Sequence, residues 1–214
     1  MHYHAEVWVS TDTVEKNHVN QDIAFVMAPF DENLEIEEVT DETDGTIYWT
    51  NPKAFWDWYQ IGGRWSGAHG TYNPEDDPEN IEICTICHGS GFRIDPIGQD
   101  ARDKDPSYTC NGCGEYDGNK GGWTHSKYGA GMKLKWSTEW KENPGDITPV
   151  KDIPEDLDCY TLIIGHPFNE VMVFHQEEWN GKSFEKTGFD GNVKKQLEKL
   201  GIKTGYLVTV DYHC

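Results

Sequence analysis

The sequence has no run of apolar residues near the roughly 20 needed to span a bilayer as a helix, so no membrane helix is expected. Its start, Met1-His2-Tyr3-His4, lacks a basic stretch followed by an apolar one. No secretory signal is therefore expected, and a reducing cytoplasm is the expected location. Arginine is scarce, with only Arg64, Arg93 and Arg102 in 214 residues. Lys and Arg together number 18 against 38 Asp and Glu, a formal net charge of -20. Such a surface repels phosphate backbones and anionic lipid at long range, which argues against direct nucleic-acid or membrane binding. It favours a partner with a basic surface, although acidity also serves solubility alone. No phosphate-binding glycine loop, no nucleophile elbow and no His-Glu-x-x-His helix is present to announce an activity. Aliphatic residues are modest in number, whereas nine Trp, ten Tyr and eight Phe promise an aromatic-rich core.

What the chain does contain is two Cys-x-x-Cys pairs, Cys84/Cys87 and Cys110/Cys113, with 22 residues between them. Each pair turns two sulfurs to one side of a tight loop. Two such loops supply four soft thiolates, a set that favours tetrahedral zinc, with iron as competitor. Disulfides are the structural alternative, disfavoured without a secretory signal. A redox pair is a further alternative, disfavoured because neither pair opens a helix. His88 and His125 lie close enough in sequence to replace a thiolate. Cys159 and Cys214 stand outside this spacing.

Cys84 to Gly91 reads Cys-x-x-Cys-x-Gly-x-Gly and resembles the zinc repeat of DnaJ-type co-chaperones. The second pair departs from that pattern at Gly114 and Glu115, and neither four tandem repeats nor a His-Pro-Asp tripeptide occurs. The resemblance implies zinc ligation by Cys84, Cys87, Cys110 and Cys113, and no chaperone activity. The layout as a whole, with Ile61-Gly62-Gly63-Arg64-Trp65 after a Trp-rich segment and Asp211-x-His213 near the end, resembles small phage and bacterial proteins of undefined activity.

The flanking sequence is patterned for an α+β body. Residues 2–9 alternate, with Tyr3, Ala5, Val7 and Val9 on one side and His2, His4, Glu6 and Trp8 on the other, the pattern of a half-buried strand. Asn17 to Met27 has helical spacing and is closed by Pro29. Residues 31–46 form an acidic loop or edge. Asn51-Pro52 predicts a helix through Phe55, Trp56, Trp58 and Tyr59. The span between the cysteine pairs, broken by Pro96 and Pro106, predicts no regular element. Gly118 to Gly131 reads as irregular, and Trp136 to Pro154 as an extended return. Residues 160–165 and 170–175 predict a hairpin turned at His166-Pro-Phe-Asn. Asn180-Gly181 predicts a two-residue turn. Asp190 predicts a cap for a short helix carrying Val193, Leu197 and Leu200, closed by Gly201. Residues 206–213 form a final alternating strand.

The expected fold is thus a mainly antiparallel sheet with two or three helices on one face and an inserted zinc-binding loop. Residues 1–78 and 136–214 make the body and 79–135 the insertion, which is too poor in apolar residues to fold without metal. If the terminal strands pair, His2, His4 and Glu6 share a face with Asp211 and His213. That inventory suits a metal or general acid–base catalysis, with Arg64 as an anion ligand. Its structural reading is an ordinary sheet surface, with Arg64 beside a helix cap in an ion pair.

Three functions follow as expectations. The first is a zinc-stabilised acidic interaction protein of the cytoplasm, phage-encoded, that inhibits a basic nucleic-acid-handling host protein. The second is a metal-assisted enzyme using the His2, His4, Asp211 and His213 face with Arg64. The third is a module whose zinc site senses thiol oxidation.

Overall fold

The computed structural model describes residues 1–113, 123–140, 143–165 and 171–214. In chain order the elements are β1 (His2–Val9), α1 (Thr11–Glu15), α2 (Val19–Met27), β2 (Glu37–Thr40), β3 (Ile47–Thr50), β4 (Trp58–Ile61), β5 (Ile81–Ile83), α3 (Pro96–Lys104), β6 (Thr124–His125), β7 (Gly129–Ala130), β8 (Met132–Leu134), β9 (Ile147–Pro149), β10 (Thr161–Ile164), β11 (Met172–His175), β12 (Glu177–Trp179), β13 (Phe184–Lys186), α4 (Val193–Lys199) and β14 (Tyr206–His213). The class is α+β. The chain divides into two units, Met1–Tyr72 with Glu142–Cys214, and Asn73–Lys141.

The first unit is built on a six-stranded sheet of order β11-β10-β1-β14-β4, with β9 also pairing β14. All pairings are antiparallel except β1 with β10. β1 and β14 pair along their full length, from His2 opposite His213 to Val9 opposite Tyr206. They sit at the sheet centre, and this corrects the expectation of a half-buried β1. Ala5, Val7 and Val9 are buried on one side, and His4 and Glu6 on the other.

Helices cover both faces rather than one. On the first face, Ile23, Val26 and Met27 of α2 pack with Val7, Ile163, Val208 and Val210. On the second, Val193 and Leu197 of α4 pack with Leu162, Ile164 and Leu207. Each such side chain, fully buried, contributes roughly 1.5–3 kcal/mol. α2 lies so close to the end of β10 that a Cβ on Gly165 would meet Val26 Cγ2 at 2.2 Å.

Several local expectations change. Asn51-Pro52 opens no helix. The Asn51 amide instead donates to Pro29 O and Asp31 O, both at 2.9 Å, and its oxygen accepts from Lys53 N. The Trp56 indole donates to Met27 O. These bonds hold the segment in a turn, closed by Ala54 N donating to Asn51 O at 3.0 Å, before Trp58 and Tyr59 join β14. The helix expected over Asn17 to Met27 is α2, which begins at Val19 because Asn17 takes a left-handed φ of 56°; the short α1 before it is a further element that the spacing did not predict. α4 is capped by Asn192, whose oxygen accepts from Lys195 N, while Asp190 accepts from Asn192 N and from the Lys195 ammonium. The Asn180-Gly181 turn has four residues, since Trp179 pairs with Phe184. The return segment contributes β9 to the sheet. The His166-Pro-Phe-Asn turn and Gly118 to residue 122 lie outside the described residues.

The second unit contains a helix where none was expected. Asp95 caps α3 by accepting from Gly98 N at 2.9 Å, and Pro96 occupies its first turn, where no amide hydrogen is needed. Arg93 grips the same Asp95 carboxylate through Nε, at 2.9 and 2.8 Å. Arg102 lies 3.9 Å above the Phe92 ring. Two short ladders, β5 with β8 and β6 with β7, complete the unit; the second gives part of the Gly118 to Gly131 stretch regular pairing.

Candidate metal centre and a buried histidine–carboxylate face

Cys84, Cys87, Cys110 and Cys113 converge in the second unit, with all four Sγ atoms within 4.8 Å of one another. All are free thiols and almost wholly buried. Cys84 Sγ lies 3.8 Å from Cys110 Sγ, and Cys87 Sγ 3.5 Å from Cys113 Sγ. A tetrahedron of sulfurs with metal–sulfur bonds of about 2.3 Å has edges of about 3.8 Å. The donor set therefore fits a four-coordinate metal ion.

Tight loops bring the sulfurs together. His88 N donates to Cys84 O at 2.8 Å and His88 takes a φ of 49°, which turns the chain back after the first pair. Gly131, at φ 72°, accepts from Cys84 N through its carbonyl oxygen, and a Cβ there would sit 2.7 Å from Cys87 Sγ. Gly112 N donates to Cys110 Sγ at 3.3 Å. Burial pushes the Cys84 thiol up, but the amides of Cys87 and Ile86 and the neighbouring thiols bring it down to about 7. Burial and the other three sulfurs push Cys113 far up. Four such thiols cannot all ionise without a cation among them, and a metal ion held by the four sulfurs would supply it. Trp123 packs on the cluster and carries the Lys133 ammonium 4.1 Å from its ring. His88 is exposed, and His125 Nδ1 accepts from Lys127 N and Tyr128 N, so neither replaces a thiolate.

In the first unit, the β1–β14 register places His2 opposite His213, His4 opposite Asp211 and Glu6 opposite Thr209. All lie on one face. They bond to carboxylates rather than converging on a metal, and among the described residues the cysteines form the one cluster of metal-ligand geometry. His2 Nδ1 is 2.9 Å from Asp211 Oδ1. His213 Nδ1 turns instead to Asp57 Oδ1, at 2.8 Å, and holds that carboxyl below its usual range. Glu6 is fully buried between His4, at 2.7 Å, and His69, at 2.9 Å, and accepts from the Thr209 hydroxyl. Burial pushes Glu6 up, but His69 and His4 outweigh it and bring the carboxyl down to about 2. Burial pulls His69 down, and the Glu6 charge more than reverses this, so His69 is raised. Thr148 holds the other His69 nitrogen at 2.9 Å. Trp65 stacks on His4 with ring centroids 5.5 Å apart.

Arg64 does not bring its guanidinium here. Its side chain is exposed, and its backbone amide donates to Asp211 Oδ2 at 3.1 Å. Among the described residues it makes no ion pair. Gly62 and Gly63 make the approach possible, because Cβ atoms on them would meet Asp146 Oδ2 at 2.3 Å and Asp211 Cβ at 2.5 Å. His69, Thr148, Asp146 and Asp57 escape sequence reasoning. Each is a lone polar residue whose partner is distant in the chain.

No family model, no curated protein and no solved structure matches this chain. Among the described residues, no helix is long and apolar enough to cross a membrane.

Proposed function

We propose that this protein is an acidic interaction protein, stapled by zinc at Cys84, Cys87, Cys110 and Cys113, that engages a basic partner in the cytoplasm. In its full form the reading is of a phage-encoded protein that inhibits a nucleic-acid-handling host protein. Zinc is the metal that four thiolates in a tetrahedron favour. Its role is structural, since the four sulfurs are buried and fill every coordination position.

The observation that carries the interaction reading is the β2–β3 hairpin. Ile36, Ile47, Tyr48 and Trp49 are all exposed on or beside it. Trp49 sits across from Glu38, and Glu35, Glu37 and Asp41 stand beside these apolar groups. Ile47 and Trp49 share one face of the hairpin with Glu38, while Tyr48 lies on the other with Val39 and Glu37; the Ile47–Trp49 face, apolar, exposed and set among carboxylates, has the composition of a docking patch with a hot-spot centre and a charged surround. The charge speeds encounter with a basic surface, and the apolar centre lengthens the contact. The terminal-strand face supports a structural role, because Glu6 and Asp211 are wholly buried and bonded.

The test is affinity purification from host lysate with wild-type protein, a Trp49→Ala variant and a Glu35→Gln/Glu37→Gln/Glu38→Gln variant, at rising salt. The expected result is a basic nucleic-acid-handling protein retained by wild type, released by salt and lost in both variants. Equal retention by all three proteins would sink the reading.

A further inference from the structure

A cleft of about 360 Å³ opens in the first unit on the side of the sheet away from Glu6. Its walls are aromatic. Tyr3 lies 4.7 Å from Tyr160 and 5.5 Å from Tyr212, ring centroid to centroid. Phe55 meets Tyr212 edge-on at 5.4 Å. Trp179 and Phe184, paired at 5.2 Å across the β12–β13 hairpin, are both more than half exposed. Glu32, Glu177 and Glu178 also line the cleft, and among the described residues no lysine or arginine does. Among the described residues these three carboxylates make no hydrogen bond or ion pair. His175 is the remaining titratable base in the lining. Burial pulls it down, its Nδ1 is engaged by the Thr161 hydroxyl at 2.9 Å, and so it adds no positive charge near neutral pH.

We infer that this cleft binds the cationic end of a lysine or arginine side chain presented by a basic partner. Aromatic faces attract a cation through their quadrupoles, more strongly when the cation sheds water. The carboxylates supply the opposite charge, and the aliphatic stem of the side chain covers apolar wall. A neutral ligand of the same shape would leave three carboxylates desolvated without compensation. The net charge of -20 raises the local concentration of such a partner. The inference rests on the interaction reading only for the source of the cation.

The experiment is fluorine NMR on protein carrying 5-fluorotryptophan at its nine tryptophans, with the Trp179 resonance assigned by Trp179→Phe. The probes are N-acetyl-lysine methylamide, N-acetyl-arginine methylamide and, as the neutral analogue, N-acetyl-norleucine methylamide. Expected is a saturable shift of the Trp179 resonance with the two cations and none with norleucine. Glu177→Gln/Glu178→Gln should weaken this about tenfold while leaving the other eight resonances in place, which shows the variant folded. An equal response to norleucine overturns the inference, as does unchanged affinity in the double variant. A lysine probe that binds here while no basic partner is captured upholds the cleft and sinks only the interaction reading. A captured partner that leaves Trp179 unmoved sinks only the cleft.

Discussion

Gly63 and Asp211 are in contact across the first unit: a methyl group on Gly63 would lie 2.5 Å from Asp211 Cβ and 2.6 Å from its Oδ2. Gly63 also holds φ at 56°. The Gly62-Gly63 pair is thus the means by which a turn after β4 reaches two buried carboxylates, Asp146 and Asp211. Gly63→Ala should destabilise the protein by about 2 kcal/mol or more, combining left-handed strain with displacement of Asp211. Gly45→Ala, at φ 76° with nothing within 4 Å of the added carbon, carries the strain alone. Urea melts of the two variants should differ by the contact with Asp211, and equal losses would refute it.

Metal content separates the two clusters. Wild-type protein should bind one zinc per chain, and Cys84→Ser should lose it. Cys159→Ser and His213→Ala should keep it, because Cys159 is bonded to Thr161 O and His213 to Asp57. Chelation should release zinc and unfold the second unit while the first keeps its melting transition. A second metal lost on His213→Ala would move the chemistry to the terminal strands.

Glu6 and His69 set opposite pH limits on stability. The Glu6 carboxyl lies at about 2 when folded against 4.5 otherwise, so its contribution is full above about pH 4.5 and fades as pH falls toward 2. His69 is raised above 6.5, so its contribution is full below about pH 6.5 and is lost as pH rises through the raised value. Glu6→Gln should cost roughly 3 kcal/mol between these limits. The difference in urea midpoint between wild type and variant, measured from pH 2 to 9, should be bell-shaped. A flat difference would show that the pair is not ionised.

Cover on both faces of the sheet is tested by truncating one residue on each. Ile23→Ala on α2 and Leu197→Ala on α4 should each cost about 2–5 kcal/mol, since both side chains are buried. The losses should add, because the two side chains belong to separate packed clusters. A loss below 1 kcal/mol at Leu197 would mean that α4 is not part of the core.

The strands β1, β10, β11 and β14 were legible because alternation or a short apolar run marks a strand whatever it pairs with. The Asn51-Pro52 segment was misread because the Asn51 oxygen does accept from Lys53 N, as a cap would, while its amide nitrogen ties the segment to Pro29 O and Asp31 O, partners distant in the chain. α3 was hidden because a nine-residue polar helix carries no apolar stripe, and Asp95 became its cap only where Arg93 and Gly98 N meet it. The second helical face was illegible because Leu162 and Ile163 are adjacent in sequence and point to opposite sides of the sheet.

By itself, the sequence determined the acidic charge, the α+β pattern and the four cysteines at metal-ligand spacing, because each is a property of composition or of near neighbours in the chain. Tertiary structure alone decided that Glu6 lies between His4 and His69, that His213 bonds Asp57 rather than Asp211, and that six aromatic rings and three carboxylates enclose one cleft. Such pairings join residues as much as 209 positions apart, as His2 and Asp211 are. Local preference says nothing about them, because only packing in the folded chain brings those side chains within bonding distance.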